Sequence, residues 1–497
     1  MIRNSTYRFG AALICAALAG CAVAPSQPHA TGEEARCYDV YQRVDRAVEE
    51  AGVGDGMAAR VAGFPYLRAS RFLASYAQDD LSEAQFDQWV ERMMTLGREA
   101  HRVELANLPA AGREALESAL RELGEPAAPG DALEACARRL AAADRVRPER
   151  RAALRAAATV PDDYVTWQRV VGLYWLTRIP FANGVRNWQQ DVLNTFAQPL
   201  EALPVTGRLL TYAPPRAGTR EDIAALLARA SANPLGIPEP RGDDLEALYR
   251  AYAPGFEVDT RSDADLPGEL GWGEDGLARV VARRPVVYRR VSHARYEGRV
   301  LLQLNYALWF PERPLEPGWD ILGGRLDAVL WRVTLAPDGE PWVFDTMHHC
   351  GCYHQFITTP RAALKPQPDT LDETAFLPQA LPRIGPGTRL TLRLAAGTHY
   401  LERVVLDAAS REATEYAFVE DDVLRSLSLK AGGRRSVFRP DGIVPGSERG
   451  ERWLFWPMGV PEPGAMRQWG RHATAFVGRR HFDDPALLER YFSLRVP

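Results

Sequence analysis

The sequence predicts an α+β protein, in which a mostly helical N-terminal domain precedes a largely antiparallel, β-rich C-terminal domain. Two observations predict this class. Up to about residue 250 the apolar residues recur at three- and four-residue spacing, as on one face of a helix. Beyond residue 276 the apolar period changes to two, and short apolar runs alternate with turn sequences, as in antiparallel hairpins.

The helical domain is predicted over residues 34–252. Its clearest start signal is a capping box formed by Ser82 and Gln85, ahead of an apolar stripe that begins at Phe86. Pro-Gly breaks separate the helices that follow. These further helices are predicted at about 110–123, 131–143 and 148–158.

One predicted helix carries an aromatic stripe with two interpretations. It begins at Asp162 or Asp163. The stripe consists of Tyr164, Trp167, Val171, Tyr174 and Trp175. We expect the stripe to pack as core between helices, because the polar face lacks the lysines of an interfacial helix. The alternative is that the stripe lies on a membrane surface.

Residues 253–275 are rich in Pro, Gly and Asp and are predicted to be a linker. The β-rich domain is predicted over residues 276–497. Three hairpins are predicted there, with turns at Glu297-Gly298, Ala336 to Gly339 and Ala396-Gly397. Two later apolar stretches, 453–456 and 473–477, are predicted as strands.

The first 21 residues carry the strongest functional signal. Arg3 and Arg8 precede an uncharged apolar run that is too short to span a bilayer but suits the core of a signal peptide. The run ends in Leu18-Ala19-Gly20-Cys21. This segment resembles the bacterial lipobox, in which a signal peptidase cuts before a cysteine that already carries diacylglycerol.

The resemblance implies that residues 1–20 are a signal peptide, that Cys21 is the lipidation site and that residues 21–33 are a lipidated tether. Ala22, in place of an aspartate, implies sorting to the outer membrane, with the protein facing the periplasm. The expected partners are the membrane, through acyl chains such as palmitate, the lipoprotein processing and sorting machinery, and an unidentified envelope protein or small ligand. The net charge of −4 disfavours a nucleic-acid partner.

Four further cysteines would enter an oxidising compartment, where paired cysteines are the default. Cys37 and Cys136 lie in predicted helices, and we expect a disulfide between them. Cys350 and Cys352 are separated by one residue, so a bond between them requires a tight turn. Gly351 is the residue that would permit such a turn.

The densest group of reactive side chains lies between Asp345 and His354. The candidate metal ligands are His348, His349, Cys350, Cys352 and His354, together with the distant donors His472 and His481. Thiolate and imidazole bind zinc and copper, so either ion is a possible cofactor. A single extended strand would spread residues 348–354 over about 20 Å. The chain therefore has to turn at Gly351, or distant donors have to complete the site.

Two other interpretations of this group remain open. One cysteine could act as a nucleophile beside a histidine that Asp345 orients, or both could be buried or disulfide-bonded in a structural turn. A separate candidate for binding an anionic ligand consists of Arg467, Arg471 and His472. For these three we favour core and loop positions.

The leading functional hypothesis is a lipid-anchored binding or assembly factor of the cell envelope. The alternative is a metal- or thiol-dependent envelope enzyme that uses the 348–354 group, so the sequence leaves open whether the protein is an enzyme. The enzyme requires this group and a donor such as His472 or His481 to meet within about 5 Å around a cleft.

Overall fold

A computed structural model describes residues 32–126, 128–215, 222–385, 388–406 and 412–495. The predicted α+β class is confirmed, with helices mostly in the N-terminal half and sheets in the C-terminal half. The lipobox and nearly all of the tether lie outside the described residues. Among the described helices, none combines the length and the hydropathy that crossing a bilayer requires.

The described residues form twelve α-helices. They are α1 Glu33–Ala51, α2 Arg71–Ala74, α3 Glu83–Asn107, α4 Ala110–Glu122, α5 Pro129–Arg145, α6 Pro148–Ala157, α7 Thr166–Val171, α8 Tyr174–Ala197, α9 Ile223–Ala230, α10 Gly242–Tyr252, α11 Arg452–Phe455 and α12 Leu487–Tyr491.

The strands range from two to fifteen residues. The first ten are β1 Ala59–Val61, β2 Phe64–Ala69, β3 Arg208–Ala213, β4 Gly255–Thr260, β5 Glu269–Trp272, β6 Ala278–Val281, β7 Val286–Tyr296, β8 Arg299–Arg313, β9 Gly324–Leu335 and β10 Pro341–His348. The others are β11 Gln355–Thr358, β12 Ala362–Leu364, β13 Gln379–Ala380, β14 Leu390–Leu394, β15 Leu401–Leu406, β16 Thr414–Glu415, β17 Ala417–Glu420, β18 Leu427–Ser428, β19 Arg434–Arg435 and β20 Phe492–Leu494.

The N-terminal helices pack around α3, which begins at the predicted capping box. The Ser82 N–H donates to Gln85 Oε1, and the Gln85 N–H donates to Ser82 Oγ. Gly97 lets α3 approach β2 closely, because a Cβ there would lie 2.3 Å from the Tyr66 carbonyl oxygen. The predicted disulfide is confirmed: Cys37 of α1 is bonded to Cys136 of α5.

A seven-stranded sheet forms the centre of the C-terminal half. Its order is β13-β11-β10-β9-β8-β7-β17, and β7 to β11 pair antiparallel in sequence. The predicted turn at Glu297-Gly298 joins β7 to β8. Both residues have positive φ, of 47° and 76°, as the two central residues of a type I′ hairpin turn require. The predicted hairpins β9–β10 and β14–β15 also form.

A five-stranded sheet of order β15-β14-β4-β3-β16 packs against the central sheet. Strand β4 lies in its middle, pairing with both β3 and β14. The segment 253–275 is therefore part of a sheet rather than a bare linker, because Phe256 and Val258 bury their side chains in the shared core. Pro254, Pro267 and Gly273 lie just outside its two strands, β4 and β5.

Three other expectations differ from the structure. The stretch 453–456 lies in α11 and a following 3-10 turn, and 473–477 is a loop with one isolated bridge at Ala473. The expectation that the aromatic stripe is core is wrong for Trp167, Val171 and Trp175, which are exposed. Between α7 and α8 the chain contacts the rest of the protein at Gly172, where a Cβ would lie 2.5 Å from Pro457. The residues of the stripe on either side of Gly172 therefore face outward.

Candidate functional site

A tight turn joins β10 to β11 and contains the cysteines of the predicted group. The Gly351 N–H donates to the His348 carbonyl (2.8 Å), and the His348 N–H donates to the Cys352 carbonyl (3.0 Å). Gly351 has φ +90°, and a Cβ there would lie 2.3 Å from the Ala473 carbonyl oxygen. The chain thus turns at Gly351, at a position that only glycine fits without displacing its neighbour.

Cys350 and Cys352 are free thiols in this turn. The Cys352 N–H donates to Cys350 Sγ, at 3.4 Å. Both side chains are buried, and the contact with the Cys350 thiol, together with burial, holds the pKa of Cys352 well above its usual range. Tyr353, the next residue, has φ +63°, which is uncommon for a residue other than glycine.

The turn forms one wall of a cavity of about 520 Å³. Most of the other wall residues are apolar and come from α8, α11 and the loop after it. Phe181 of α8 contacts Phe455 at 5.0 Å between ring centroids, and Phe455 contacts Phe476 at 5.3 Å. Trp188 of α8 packs 5.2 Å from the ring of Tyr353. The cavity is therefore mostly apolar, with several aromatic side chains in its wall, and residues 350–354 bound it on one side.

A buried network lies behind this wall and is centred on Asp327. His348 Nδ1 donates to Asp327 Oδ1 (3.2 Å), and His399 Nδ1 donates to Asp327 Oδ2 (2.9 Å). His399 Nε2 lies 3.3 Å from Asp265, and Arg449 donates to Asp327. Burial would raise the pKa of Asp327, but the charges of His348 and Arg449 hold it well below its ordinary value.

His399 lies between two carboxylates, those of Asp265 and Asp327. Burial favours the neutral ring, but the carboxylates of Asp265 and Asp327 outweigh burial and raise the pKa of His399. His399 has φ +52°, and Leu326, beside Asp327, has φ +59°. Sparsely populated backbone conformations persist where the surrounding structure over-determines them, which is common at functional sites.

The network reaches the cavity through His348. Its ring packs edge-on against Tyr353 at 5.1 Å and against Tyr400 at 5.6 Å, and both tyrosines line the cavity. Arg313 donates to the Tyr400 hydroxyl at 3.3 Å. Burial raises the pKa of both tyrosines, so their hydroxyls stay neutral near pH 7 and can donate or accept hydrogen bonds.

His354 belongs to a second, separate network. Its Nε2 donates to Asp345 Oδ2 (2.8 Å), so Asp345 does contact a histidine of the group, and Arg332 binds both oxygens of that carboxylate. Burial lowers the pKa of His354 to about 4, so the ring is neutral at physiological pH. Nε2 carries the proton, which leaves Nδ1 as a hydrogen-bond acceptor. That atom is buried without a partner in the part of the chain that the structure describes.

The candidate metal ligands are distributed over separate contacts. His349 Nδ1 donates to the Arg467 carbonyl at 2.8 Å. The same atom lies 3.4 Å from His472 Nε2, so His472 does contact one residue of the 348–354 group. His481 instead lies 3.2 Å from Asp162. Within the described ranges, no three or more His, Cys, Asp or Glu residues are arranged to hold a metal ion. A zinc or copper site therefore gains no support from the geometry.

The predicted anion-binding residues make separate contacts. Arg467 donates to the carbonyls of Cys350 (3.2 Å) and Pro461 and so fixes the cysteine turn from behind. Arg471 pairs with Asp163 at 3.4 Å, on a partly exposed surface. His472 is buried beside His349. Arg467 and His472 are thus buried, whereas Arg471 is partly exposed.

Glu451 is a cavity residue that the sequence did not single out. Burial raises its pKa to about 7, although the charges of Arg449 and Arg313 act in the opposite direction. Asp265, Asp327 and Tyr400 were missed as well. They carry no local motif, since they reach the site only through strand pairing and packing.

No protein-family model, no curated protein and no solved structure matches this chain.

Proposed function

We propose that this protein is a lipid-anchored envelope protein that binds a small amphiphile in the cavity beside Cys350–His354. One observation carries the proposal, namely a mostly apolar cavity of about 520 Å³ whose wall contains a few buried polar groups. This volume falls within the range of small-molecule sites, which are lined mainly by apolar residues with a few polar groups that fix orientation.

Two cavity residues indicate what the polar end of the ligand carries. His354 Nδ1 is an acceptor, and Trp188 Nε1 is a donor. Among the described residues neither buried atom has a hydrogen-bond partner. Buried polar groups are nearly always paired, so after a small movement of the two side chains, ligand groups that donate to His354 Nδ1 and accept from Trp188 Nε1 would satisfy both atoms. A hydroxyl or a carboxylic acid on a hydrocarbon body has this chemistry.

The envelope location is supported by the lipobox-like segment and by the Cys37–Cys136 disulfide. Disulfides persist in oxidising compartments and are rare in the cytosol of most organisms. The anchor is tested by the Cys21→Ala variant, in which palmitate labelling should be lost and uncleaved precursor should accumulate. Normal labelling of that variant would contradict the anchor.

Ligand binding is tested with the chain from Ala22 to Pro497 and the fluorescent fatty acid cis-parinaric acid. Gly184 lies at the rim of the cavity, and a Cβ there would meet nothing within 4 Å. The Gly184→Trp variant should therefore block the cavity without disturbing the fold, and we expect its Kd to rise at least tenfold. The Gly184→Ala variant is the matched control and should bind as the wild type does. Equal affinity of all three proteins, or no binding by the wild type, would contradict the proposal.

A second candidate, an enzyme acting on the same ligand, is favoured by Glu451. A carboxyl group with a pKa of about 7 in the cavity wall can release and accept a proton at neutral pH, as a general acid–base catalyst must. The test incubates an envelope lipid extract with the wild type and with Glu451→Gln and compares the lipids by mass spectrometry. A product that only the wild type forms supports an enzyme, whereas unchanged lipids in both samples contradict it.

A further inference from the structure

An exposed apolar surface runs along α7 and α8, beside the cavity. We infer that this surface binds an anionic phospholipid bilayer and that the amphiphile enters the cavity from that bilayer. The second part rests on the proposed function, whereas membrane binding itself is independent of it. We call this surface the apolar face and define it by Trp167, Val170, Val171, Trp175, Leu176 and Ile179.

The apolar face is continuous and strongly exposed. Its six side chains are between 45% and 70% exposed, and Trp453 and Leu454 of α11 are similarly exposed. Helix α11 belongs to the same region, since Phe455 packs against Phe181 of α8. Single exposed apolar residues need no explanation, but a contiguous patch of them marks a binding surface. Tryptophan in particular is enriched where a protein meets the membrane–water interface.

The charge around the apolar face favours anionic lipid. Residues 164–190 contain three arginines and no aspartate or glutamate, although the whole chain has a net charge of −4. Arg186 is exposed to solvent, whereas Arg169 donates to the carbonyls of Met458 and Gly478 and Arg178 pairs with Asp372 at 3.5 Å. Basic residues at a membrane surface are attracted by anionic headgroups. The lack of lysines in this helix is uninformative, because Lys365 and Lys430 are the only lysines of the chain.

The predicted lipid anchor holds the protein close to a membrane. Helix α1 begins at Glu33, twelve residues after Cys21. An extended chain spans at most about 3.6 Å per residue, so α1 would begin within about 45 Å of the lipidated cysteine. Tethering converts membrane contact into an intramolecular event, so a face of weak intrinsic affinity would still be occupied.

The cavity opens at the edge of the apolar face. Pro180, Gly184 and Leu454 line the cavity and are also exposed, so its mouth lies between α8 and α11. Contact of the apolar face with a bilayer would place this mouth near the lipid headgroups. An amphiphile could then move from the bilayer into the cavity without crossing water, which removes the cost of exposing its hydrocarbon body.

Membrane binding is tested by flotation of the chain from Ala22 to Pro497 with vesicles. This chain contains every described residue and lacks the lipid. We expect it to float with vesicles that contain phosphatidylglycerol and to bind much less to vesicles of phosphatidylcholine alone. The Val171→Asp variant should lower the partition coefficient at least tenfold. The control is Val146→Asp, on a residue 78% exposed compared with 65% for Val171, and it should bind as the wild type does.

Each other outcome overturns the inference. Equal flotation of both variants and the wild type would show that the apolar face is not the contact. A wild-type dimer that Val171→Asp converts to a monomer, without vesicle binding, would show that a second copy covers it. Titration with cis-parinaric acid in the absence of vesicles separates the two proposals, because Val171→Asp should keep the wild-type Kd. A wild type that binds cis-parinaric acid but does not float with either kind of vesicle would overturn the inference and leave the proposed function standing.

Discussion

His348 Nδ1 donates to Asp327 Oδ1 across a distance of 3.2 Å, and this contact joins the cysteine turn to a buried network. Asp327 is fully buried and also accepts hydrogen bonds from His399 and Arg449. A single carboxylate thus fixes three side chains behind the cavity wall. The position of His348 against Tyr353 and Tyr400 depends on it.

Loss of this carboxylate should destabilise the protein strongly. In Asp327→Asn the buried Arg449 guanidinium loses its carboxylate partner and His399 keeps only Asp265, and breaking such a buried arrangement costs about 3–5 kcal/mol. Urea unfolding followed by circular dichroism measures the change. Asp441→Asn, which removes a largely exposed partner of Arg439, is the control and should change the free energy of unfolding by less than about 1 kcal/mol. Similar effects of the two variants would argue against the network.

Glu451 should make stability fall as the pH rises. Its pKa is about 7 in the folded protein and 4.5 ordinarily, so its contribution is fully present below pH 4.5 and is lost as the pH rises through 7. The charged groups that face it are Arg449, Arg313, Arg467 and Asp320. Relative to Glu451→Gln, the wild type should lose on the order of 3 kcal/mol of unfolding free energy between pH 4.5 and 8. Parallel pH profiles of the two proteins would contradict the prediction.

Trp188 should contribute to ligand affinity more than to stability. Trp188→Phe keeps an aromatic ring in the cavity wall but removes the Nε1–H donor, which has no partner among the described residues. Loss of one hydrogen bond to the ligand, worth about 1 kcal/mol, should raise the Kd for cis-parinaric acid about fivefold. The thermal unfolding midpoint should stay within about 2 °C of the wild type. An unchanged Kd would place the polar end of the ligand elsewhere.

Gly351→Ala should cost more stability than a comparable glycine substitution elsewhere. Gly298 is the comparison, because it also has positive φ but a Cβ there would meet nothing within 4 Å. Gly298→Ala should cost about 1–2 kcal/mol from the backbone conformation alone. Gly351→Ala adds a clash with the Ala473 carbonyl and should cost clearly more. Equal losses of unfolding free energy would show that the turn can shift away from Ala473.

The sequence predicted features that depend on local chemistry. The capping box at Ser82, the positive-φ turn at Glu297-Gly298 and the turn at Gly351 all follow from residue types at fixed spacing. The Cys37–Cys136 bond followed from the small number of cysteines in a compartment expected to be oxidising. Each of these predictions used either residues that are close together in the sequence or the number of cysteines in the chain.

The arrangement of the site depends on contacts between residues that are far apart in the sequence, and residue spacing does not predict such contacts. Asp327 reaches His348 only because β9 and β10 pair with Val329 opposite His348. His399 comes from the other sheet, and Asp265 from a segment whose Pro and Gly residues resembled a linker. The stripe at Trp167 and Trp175 has helical spacing, which is the same for a core face and for a membrane-facing one.

Alkylation of Cys350 and Cys352 is the most direct test that the ligand occupies this cavity. In the chain from Ala22 to Pro497 the other two cysteines are disulfide-bonded, so reaction with iodoacetamide reports on the cavity wall alone. Saturating cis-parinaric acid should slow the reaction at least tenfold in the wild type and leave it unchanged in Gly184→Trp. The same alkylation rate with and without bound ligand in the wild type would show that the ligand binds elsewhere.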